Sequence, residues 1–244
     1  MQEILANGIK WHVSDNHFEF TAKWLSAHFP IILKDNKCLL KEDKGSRVAV
    51  ADGLVIKEST ARKGRSVFRF GLRRSGAYRA FRMGNELADF GLNTPRPVAW
   101  ATIRCLGLRI KEYLITEEIA DSHLLTETLK SKNEEKEHAE IISKWGRLLA
   151  AFHVNGFSNR DMKDTNILVT RNEGLKLWAV DLDGVRRRKK LKKRRIERDF
   201  WPIVRSLRMY GWIDDSDMSA LLAGYNELAS ENLRLSSLPS FPFV

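Results

Sequence analysis

The stretch that decides the fold is NRDMKDTNILV at residues 159–169, followed by VDLDG at residues 180–184. Asp161 and Asn166 bracket a loop that leads directly into an apolar run typical of a strand. Asp181 ends the next predicted strand. If the two strands form a hairpin, Asn166 and Asp181 meet at its open end beside the loop that holds Asp161. The spacing therefore predicts one site with an amide oxygen and two carboxylates.

These side chains suit the transfer of a phosphoryl group from ATP. One carboxylate orients the acceptor hydroxyl group and takes its proton, and we assign this role to Asp161. An Asn and an Asp can hold Mg²⁺ on the phosphates, and Asn166 and Asp181 are the candidates. A lysine from a preceding sheet should neutralise the α- and β-phosphates, and Lys57 ends the predicted strand LVIK. We therefore predict ATP and Mg²⁺ as cofactors.

The same motifs resemble those of the protein-kinase-like superfamily. Residues 159–166 resemble the catalytic loop H-R-D-x-x-x-x-N, residues 181–183 resemble D-F-G, and residues 54–57 resemble V-A-I-K. Within the superfamily, the chain resembles the bacterial lipopolysaccharide core kinases, which phosphorylate Kdo or heptose. Further marks of this likeness are SGAYRAFR at 75–82, GLNTPRP at 91–97, and RD at 198–199 leading into IVRSL at 203–207.

The resemblance implies an α+β, two-lobed protein-kinase-like fold. Residues 1–120 would form an N-terminal, nucleotide-binding lobe with an antiparallel sheet and one helix. Residues 121–244 would form a small, mainly helical catalytic lobe. By the same resemblance, the protein would be a phosphotransferase that uses ATP and Mg²⁺ to phosphorylate an alcohol group of Kdo or heptose. Its partner would be the lipopolysaccharide core or a lipid A precursor at the cytoplasmic face of the inner membrane.

The sequence departs from the family pattern at three places. Asn159 stands where the family usually has a mainly structural His. No G-x-G-x-x-G motif covers the phosphates, and KGS at residues 44–46 is the only short substitute. Ala80 stands where many relatives have the helix glutamate that pairs with the lysine. Glu86 is the remaining candidate for the partner of Lys57 in the cofactor site.

Local patterns predict the order of the secondary structure. Strands are expected at 38–42, 46–51 and 54–58, with a hairpin turn at Asp52-Gly53. Next, we expect a helix from Ser75, its N-cap, to Phe90. Two strands around a turn near Gly107 should follow it. The order of the elements within residues 1–35 is the least predictable. Apolar spacings of three and four then predict helix after residue 121. The elements expected there are a helix at 138–152, strands at 167–170 and 175–180, and helices at 196–210 and 216–230.

Charge is concentrated in one run of the sequence. The formal net charge is +11, and nine of the ten residues from Arg186 to Arg195 are basic, with only Leu191 between them. Without these nine charges the net charge would fall to +2. Because the run closely follows Asp181, we expect it to contact an anionic glycolipid acceptor or the anionic inner membrane. Nucleic acid is the less favoured partner. A second basic stretch extends from Arg62 to Arg74.

The composition argues against several other classes of protein. Cys38 and Cys105 lie far apart in the sequence, so neither a disulfide framework nor a zinc signature is expected. We therefore expect the protein to reside in a reducing compartment. The first residues do not have the pattern of a signal peptide, and no apolar run is long enough to cross a bilayer. We therefore expect a cytoplasmic protein, held peripherally at the membrane by its basic run.

Two alternative functions and the role of one residue remain open. The chain could be a kinase of the same fold that acts on another small molecule or on a protein. It could also be a catalytically inactive kinase-like module that binds nucleic acid or membrane, which the missing glycine-rich loop favours and the presence of Asp161, Asn166 and Asp181 together disfavours. Asp183 is either a second metal ligand or a turn residue before Gly184, and we favour the turn.

Overall fold

The computed structural model describes residues 1–61, 65–131, 135–209 and 215–237. The chain divides into two compact units. The first comprises Met1–Glu86 and Pro95–Ala120, and the second comprises Leu87–Thr94 and the chain from Asp121 onward. Helices and antiparallel strands are both abundant, which confirms the predicted α+β class.

The first unit is built on a seven-stranded antiparallel sheet with the order β1-β2-β6-β7-β5-β4-β3. Its strands are β1 (Gln2–Ala6), β2 (Ile9–Val13), β3 (Leu39–Asp43), β4 (Ser46–Ala51), β5 (Leu54–Thr60), β6 (Pro97–Cys105) and β7 (Leu108–Glu117). The five strands expected between residues 38 and 119 are all present. Residues 1–35 add β1 and β2 at one edge.

Three hairpins of this sheet close with two-residue turns in which both residues have positive φ. Asn7-Gly8 joins β1 to β2, Asp52-Gly53 joins β4 to β5, and Leu106-Gly107 joins β6 to β7. In each turn both residues have positive φ, between 47° and 79°. This is the type I′ geometry that matches the twist of the strands, and it favours Asn-Gly and Asp-Gly. The predicted turn at Asp52-Gly53 is confirmed, and Leu106 is an atypical residue for such a turn.

One face of the sheet is covered by helix α1 (Phe18–His28), which the sequence pattern did not reveal. Trp24 and Leu25 of α1 are buried in the core of this unit. The indole N–H of Trp24 also donates a hydrogen bond of 2.8 Å to the carbonyl oxygen of Ala51. The sheet residues in the same core are Trp11, Val13, Ala49, Leu54, Ile56, Val98, Ala99, Ala101, Tyr113 and Ile115.

The other face of the sheet holds the start of helix α3 (Gly76–Asp89), which is preceded by helix α2 (Arg65–Leu72). Because Tyr113 and Ile115 of β7 face the α1 core, Glu112 lies on the opposite face. Glu112 Oε2 accepts hydrogen bonds from the Gly76 N–H at 3.0 Å and from the Ser75 hydroxyl at 2.7 Å. Ser75 Oγ in turn accepts from the Tyr78 N–H at 3.1 Å, so Ser75 caps α3 as expected.

The first unit is therefore more helical than the sequence indicated. One helix was expected in it, and α1, α2 and α3 are present among the described residues. The additional helices were missed because α1 falls in the stretch with the weakest local pattern, while α2 is a short helix within a strongly basic stretch. Of that stretch, residues 62–64 lie outside the described residues.

The second unit combines short strands with four helices in its described part. A small sheet has the order β11-β10-β8, and a separate two-stranded sheet pairs β12 with β9. The predicted helices at 138–152, 196–210 and 216–230 correspond to α5, α6 and α7, although Tyr210 lies outside the described residues. The elements are β8 (His123–Leu124), α4 (Leu125–Lys130), α5 (Glu135–Val154), β9 (Phe157–Ser158), β10 (Ile167–Thr170), β11 (Lys176–Ala179), β12 (Arg186–Arg187), α6 (Lys193–Met209) and α7 (Asp215–Leu228).

Helices α5 and α7 cross at two glycines. A Cβ atom on Gly146 would lie 2.1 Å from the carbonyl oxygen of Leu221, and one on Gly224 would lie 2.0 Å from the carbonyl oxygen of Ser143. Both distances are too short for any side chain, so glycine permits this close approach.

A buried polar network also connects these helices with α6. The Nδ1 atom of His153 lies 2.9 Å from the Tyr225 hydroxyl, and its Nε2 atom lies 3.4 Å from Asp199 Oδ2. All three side chains are buried, so each needs such partners inside the protein.

Within residues 1–61, 65–131, 135–209 and 215–237, no helix is both long enough and apolar enough to cross a bilayer.

Candidate active site

The hairpin predicted from the sequence is present in the second unit. Strands β10 and β11 pair antiparallel, with Ile167 opposite Ala179, and the Val180 N–H donates to the Asn166 carbonyl oxygen at 2.9 Å. Asn166 therefore immediately precedes one strand at the open end of the hairpin, and Asp181 follows the other strand at the same end. The local pairing thus places these two side chains at one end of a short, buried ribbon.

Asn166 is oriented by Asp161. Its Nδ2 group donates to the Asp161 carbonyl oxygen at 2.9 Å and to Asp161 Oδ2 at 3.0 Å. Both amide hydrogens are thereby used, and the amide oxygen Oδ1 is turned away from Asp161. An amide oxygen held in this way, with a carboxylate nearby, fits the oxygen ligands that Mg²⁺ prefers.

Asp181 occupies a left-handed backbone conformation, with φ 59° and ψ 61°. Asp tolerates this region better than most residues, but the conformation still has a cost. It turns the chain from β11 into a single helical turn, Leu182–Gly184, that contains the exposed Asp183. Strained residues of this kind concentrate at functional sites, which is in keeping with a ligand role for Asp181.

Asn159 anchors the loop that contains Asp161. Its side chain is buried, and its Oδ1 accepts a hydrogen bond from the Asp161 N–H at 3.0 Å. A Cβ atom on Gly184 would lie 3.7 Å from the same oxygen, so the loop and the turn after Asp181 are in contact here. The Asn that replaces the usual His therefore still braces the loop.

Asp164 is a second anchor of the loop, which the sequence analysis did not identify. It is buried and accepts hydrogen bonds from the hydroxyl groups of Thr126 and Ser206, the latter at 2.6 Å. These contacts tie the loop to α4 and α6. No local signal distinguishes Asp164 from a solvated loop residue, because its partners lie 38 and 42 residues away.

Asp161 has a positively charged neighbour on its exposed side. Lys163 Nζ lies 3.4 Å from Asp161 Oδ1, and both side chains are half-exposed. Partial burial lowers the pKa of Arg198, and so do the neighbouring positive charges of Arg195 and Arg160. Arg160, next to Asp161 in sequence, is therefore close enough to the α6 arginines to share their electrostatic field. An anionic acceptor near Asp161 would be attracted by these groups.

The basic run 186–195 has two structurally different parts. Arg186 donates to the carbonyl oxygens of Asp183 and Val185. The guanidinium of Arg187 lies over the rings of Phe90 and Phe157, at 4.7 and 5.6 Å from their centroids. Leu191 is buried, and the exposed basic residues besides Arg187 are Arg188, Lys189, Lys190, Lys192, Lys193 and Arg194.

Lys57 and Glu86, the other two predicted site residues, belong to the first unit. Lys57 pairs with Val48 and Leu114 across the sheet, and its side chain is on the face opposite the α1 core, where α3 begins. Glu86 lies on α3 and is half-buried. Its Oε2 atom is buried and accepts no hydrogen bond from the part of the chain that the structure describes. A buried carboxylate oxygen in this state favours a nearby cation.

Comparison with known proteins agrees with this architecture. A family model described as "Lipopolysaccharide kinase (Kdo/WaaP) family" matches residues 43–225, about three quarters of the chain. The chain belongs to the lipopolysaccharide kinase (Kdo/WaaP) family. The resemblance predicted from the sequence is therefore confirmed, and the expected enzyme class, a kinase that acts on a sugar, is that of the family.

Two individual proteins are similar to this chain. The 3-deoxy-D-manno-octulosonic acid kinase of Vibrio cholerae serotype O1 is 31% identical over 113 residues, which are 46% of this chain and 46% of that protein. The alignment thus spans less than half the length of this relative. A solved structure of WaaP in complex with acyl carrier protein superimposes with a TM-score of 0.60 at 17% identity, over 92% of this chain and 88% of that chain. This likeness confirms the kinase-like fold of the Kdo/WaaP family member described here.

Proposed function

We propose that this protein is an ATP- and Mg²⁺-dependent kinase that phosphorylates an alcohol group of Kdo or heptose in the inner core of lipopolysaccharide. The observation that carries the proposal is the double hydrogen bond from Asn166 to Asp161. It presents one carboxylate for proton transfer and one amide oxygen for a metal ion from a single rigid loop. Membership of the lipopolysaccharide kinase family supports the choice of a sugar as acceptor.

Asp161 acts on the acceptor. Its carboxylate accepts a hydrogen bond from the acceptor hydroxyl group and takes the proton as the oxygen attacks the γ-phosphorus. A new oxygen–phosphorus bond forms while the bond to the bridging oxygen of ADP breaks. Asn159, Asp164 and Asn166 hold the loop, so the carboxylate is positioned before the acceptor arrives.

Asn166 and Asp181 are the residues that would hold Mg²⁺, which supplies charge neutralisation for the phosphate oxygens. Lys57 would bind the α- and β-phosphates. Glu86 would orient Lys57, and its buried, unsatisfied Oε2 atom supports this role. These assignments are consistent with the kinase-like fold.

The exposed part of the basic run would meet the acceptor. The inner core and lipid A carry anionic groups, and the six exposed cations between Arg188 and Arg194 offer complementary charge. At an anionic surface, each such cation contributes about 1 kcal/mol. The enzyme would therefore work as a cytoplasmic protein held peripherally at the inner membrane. The Vibrio cholerae relative named for Kdo favours Kdo as the sugar.

The test is phosphate transfer from Mg-ATP to purified inner-core lipopolysaccharide, with Asp161→Asn as the variant. Glu173→Gln serves as a matched control, because this carboxylate lies at the exposed turn of the same hairpin and pairs with Lys176. We expect transfer by the wild type and the control, and a loss of at least about a hundredfold in Asp161→Asn with ATP binding intact.

Other outcomes would contradict the proposal in distinguishable ways. Near-normal turnover of Asp161→Asn would show that another residue is the base. Tight Mg-ATP binding without transfer to lipopolysaccharide would show that the acceptor is different. The absence of both would identify a catalytically inactive kinase-like binding module.

A further inference from the structure

The second basic stretch of the sequence, residues 62–74, has no role in the function proposed above. It contains six basic residues and no acidic residue. Helix α2 lies within it and exposes two large apolar side chains, Phe68 at 61% and Leu72 at 76%. These two residues are one helical turn apart and therefore lie on the same face. The exposed Arg69 lies beside this apolar row.

The inner side of α2 is held firmly against the first unit. The guanidinium of Arg109 donates to the carbonyl oxygens of Phe70 at 2.5 Å and Arg73 at 2.8 Å, and it lies over the Phe70 ring. A Cβ atom on Gly71 would lie 3.0 Å from the Leu108 side chain, so helix and strand β7 are in close contact. The exposure of Phe68 and Leu72 is thus a fixed property of a well-anchored helix.

Leu106 is a further exposed apolar residue, at the tip of the β6–β7 hairpin. It lies two residues before Leu108, which contacts α2, and its side chain is 98% exposed. Its φ of 48° is unfavourable for leucine, and the equivalent turn positions hold Asn7 and Asp52, which tolerate this conformation. Leucine at this position therefore contributes neither core packing nor a favourable turn.

We propose that this surface binds an anionic lipid bilayer. We define the α2 patch as the apolar Phe68, Leu72 and Leu106 together with the exposed Arg69, Arg73 and Arg74. Apolar side chains beside arginines, without acidic residues in the stretch, complement the hydrocarbon boundary and phosphate groups of a bilayer interface. The inference goes beyond the proposed function, because it involves neither nucleotide nor acceptor and concerns a surface distinct from residues 186–195.

The first experiment is flotation of the full chain with vesicles, without nucleotide or lipopolysaccharide. Vesicles of phosphatidylethanolamine with phosphatidylglycerol are compared with vesicles of phosphatidylcholine alone. The variant is Phe68→Ser with Leu72→Ser, and the matched control is Phe20→Ser with Leu5→Ser, an exposed Phe and an exposed Leu of the same unit. We expect wild type and control to bind the anionic vesicles, and the α2 variant to bind about tenfold more weakly.

A second variant separates lipid binding from folding. Leu106→Asn should raise the stability of the fold, since Asn suits the type I′ turn, yet it should weaken vesicle binding. Cys105 is an exposed free thiol beside Leu106, so an environment-sensitive dye attached to it in a Cys38→Ser background reports directly on insertion of the tip. The dye emission should shift to shorter wavelength only with anionic vesicles.

Unchanged anionic vesicle binding by both the α2 variant and Leu106→Asn would overturn the proposal. Equal binding of the wild type to phosphatidylcholine vesicles and anionic vesicles would also overturn it, as would the absence of any vesicle binding. Because none of these measurements requires phosphate transfer, they leave the proposed kinase function to its own test.

Discussion

The side-chain amide of Asn166 donates hydrogen bonds to both the backbone carbonyl and the carboxylate of Asp161, at 2.9 and 3.0 Å. This relationship couples the proposed base to the proposed metal ligand. A change at either residue should therefore alter both the positioning of the acceptor and the response to Mg²⁺.

Replacement of Asn166 by Ala should lower turnover by about two orders of magnitude, since the loop loses its geometry as well as a metal ligand. The Mg²⁺ concentration for half-maximal rate should rise. Asn166→Asp should keep an oxygen ligand but place a second carboxylate beside Asp161, so the two like charges repel each other. Asn172→Ala, at the exposed turn of the same hairpin, is the control. An unchanged Mg²⁺ dependence in Asn166→Ala would exclude the ligand role.

The basic run should separate into structural and binding positions. Arg187→Ala should destabilise the protein by about 1 kcal/mol, because it removes the guanidinium that covers two aromatic rings. The triple change Arg188→Gln, Lys189→Gln and Lys190→Gln should leave the unfolding free energy within about 0.5 kcal/mol and weaken binding to lipopolysaccharide. Urea unfolding and co-sedimentation measure the two effects. Equal loss of stability in both variants would contradict this division.

The crossing of α5 and α7 should not tolerate a methyl group. Gly224→Ala places a Cβ atom 2.0 Å from the carbonyl oxygen of Ser143, so the helices must separate. We expect a loss of about 3 kcal/mol or more in the free energy of unfolding, measured in urea. In Gly184→Ala the nearest atoms would lie at 3.7 and 3.8 Å, so this control should unfold almost like the wild type. Similar stability of the two variants would show that the crossing adjusts freely.

Two buried tyrosines should make stability fall in alkali. Burial, the negative charge of Glu58 and the hydrogen bond to it raise the pKa of Tyr113 above its ordinary value of 10.0, and burial raises that of Tyr225. Each raised pKa means that the folded state keeps a proton that the unfolded state loses. The contribution of these two tyrosines to the free energy of unfolding is therefore fully present below about pH 10 and declines above it.

Tyr113→Phe tests this dependence. Above pH 10 its unfolding free energy should decline less steeply than that of the wild type, by about 1.4 kcal/mol for each pH unit. Urea unfolding between pH 8 and 11 measures the slopes. Tyr78→Phe, at a side chain that is 40% exposed, should keep the wild-type slope. Parallel slopes for wild type and Tyr113→Phe would refute the titration of this tyrosine.

Much of the candidate site was predictable because its parts are local in sequence. Asp161 and Asn166 share one loop, and Asp181 reaches them through a hairpin with a short connection. Such contacts depend on turn residues and strand pattern, which are visible in the sequence. Residues 1–35 were different, because Trp11 and Trp24 are placed by burial against distant strands, and no local pattern in this stretch indicates that burial.

The sequence by itself determined the residue types of the loop, the order of the hairpin and the family resemblance, since each depends on neighbours within about twenty residues. Only the tertiary structure decided that Asp164 is a buried anchor, that Arg187 lies over two aromatic rings, and that Phe68, Leu72 and Leu106 remain uncovered. Burial is the reason. Whether a side chain meets water or protein depends on segments far away in the chain, and identical residue types in one run can therefore have opposite roles.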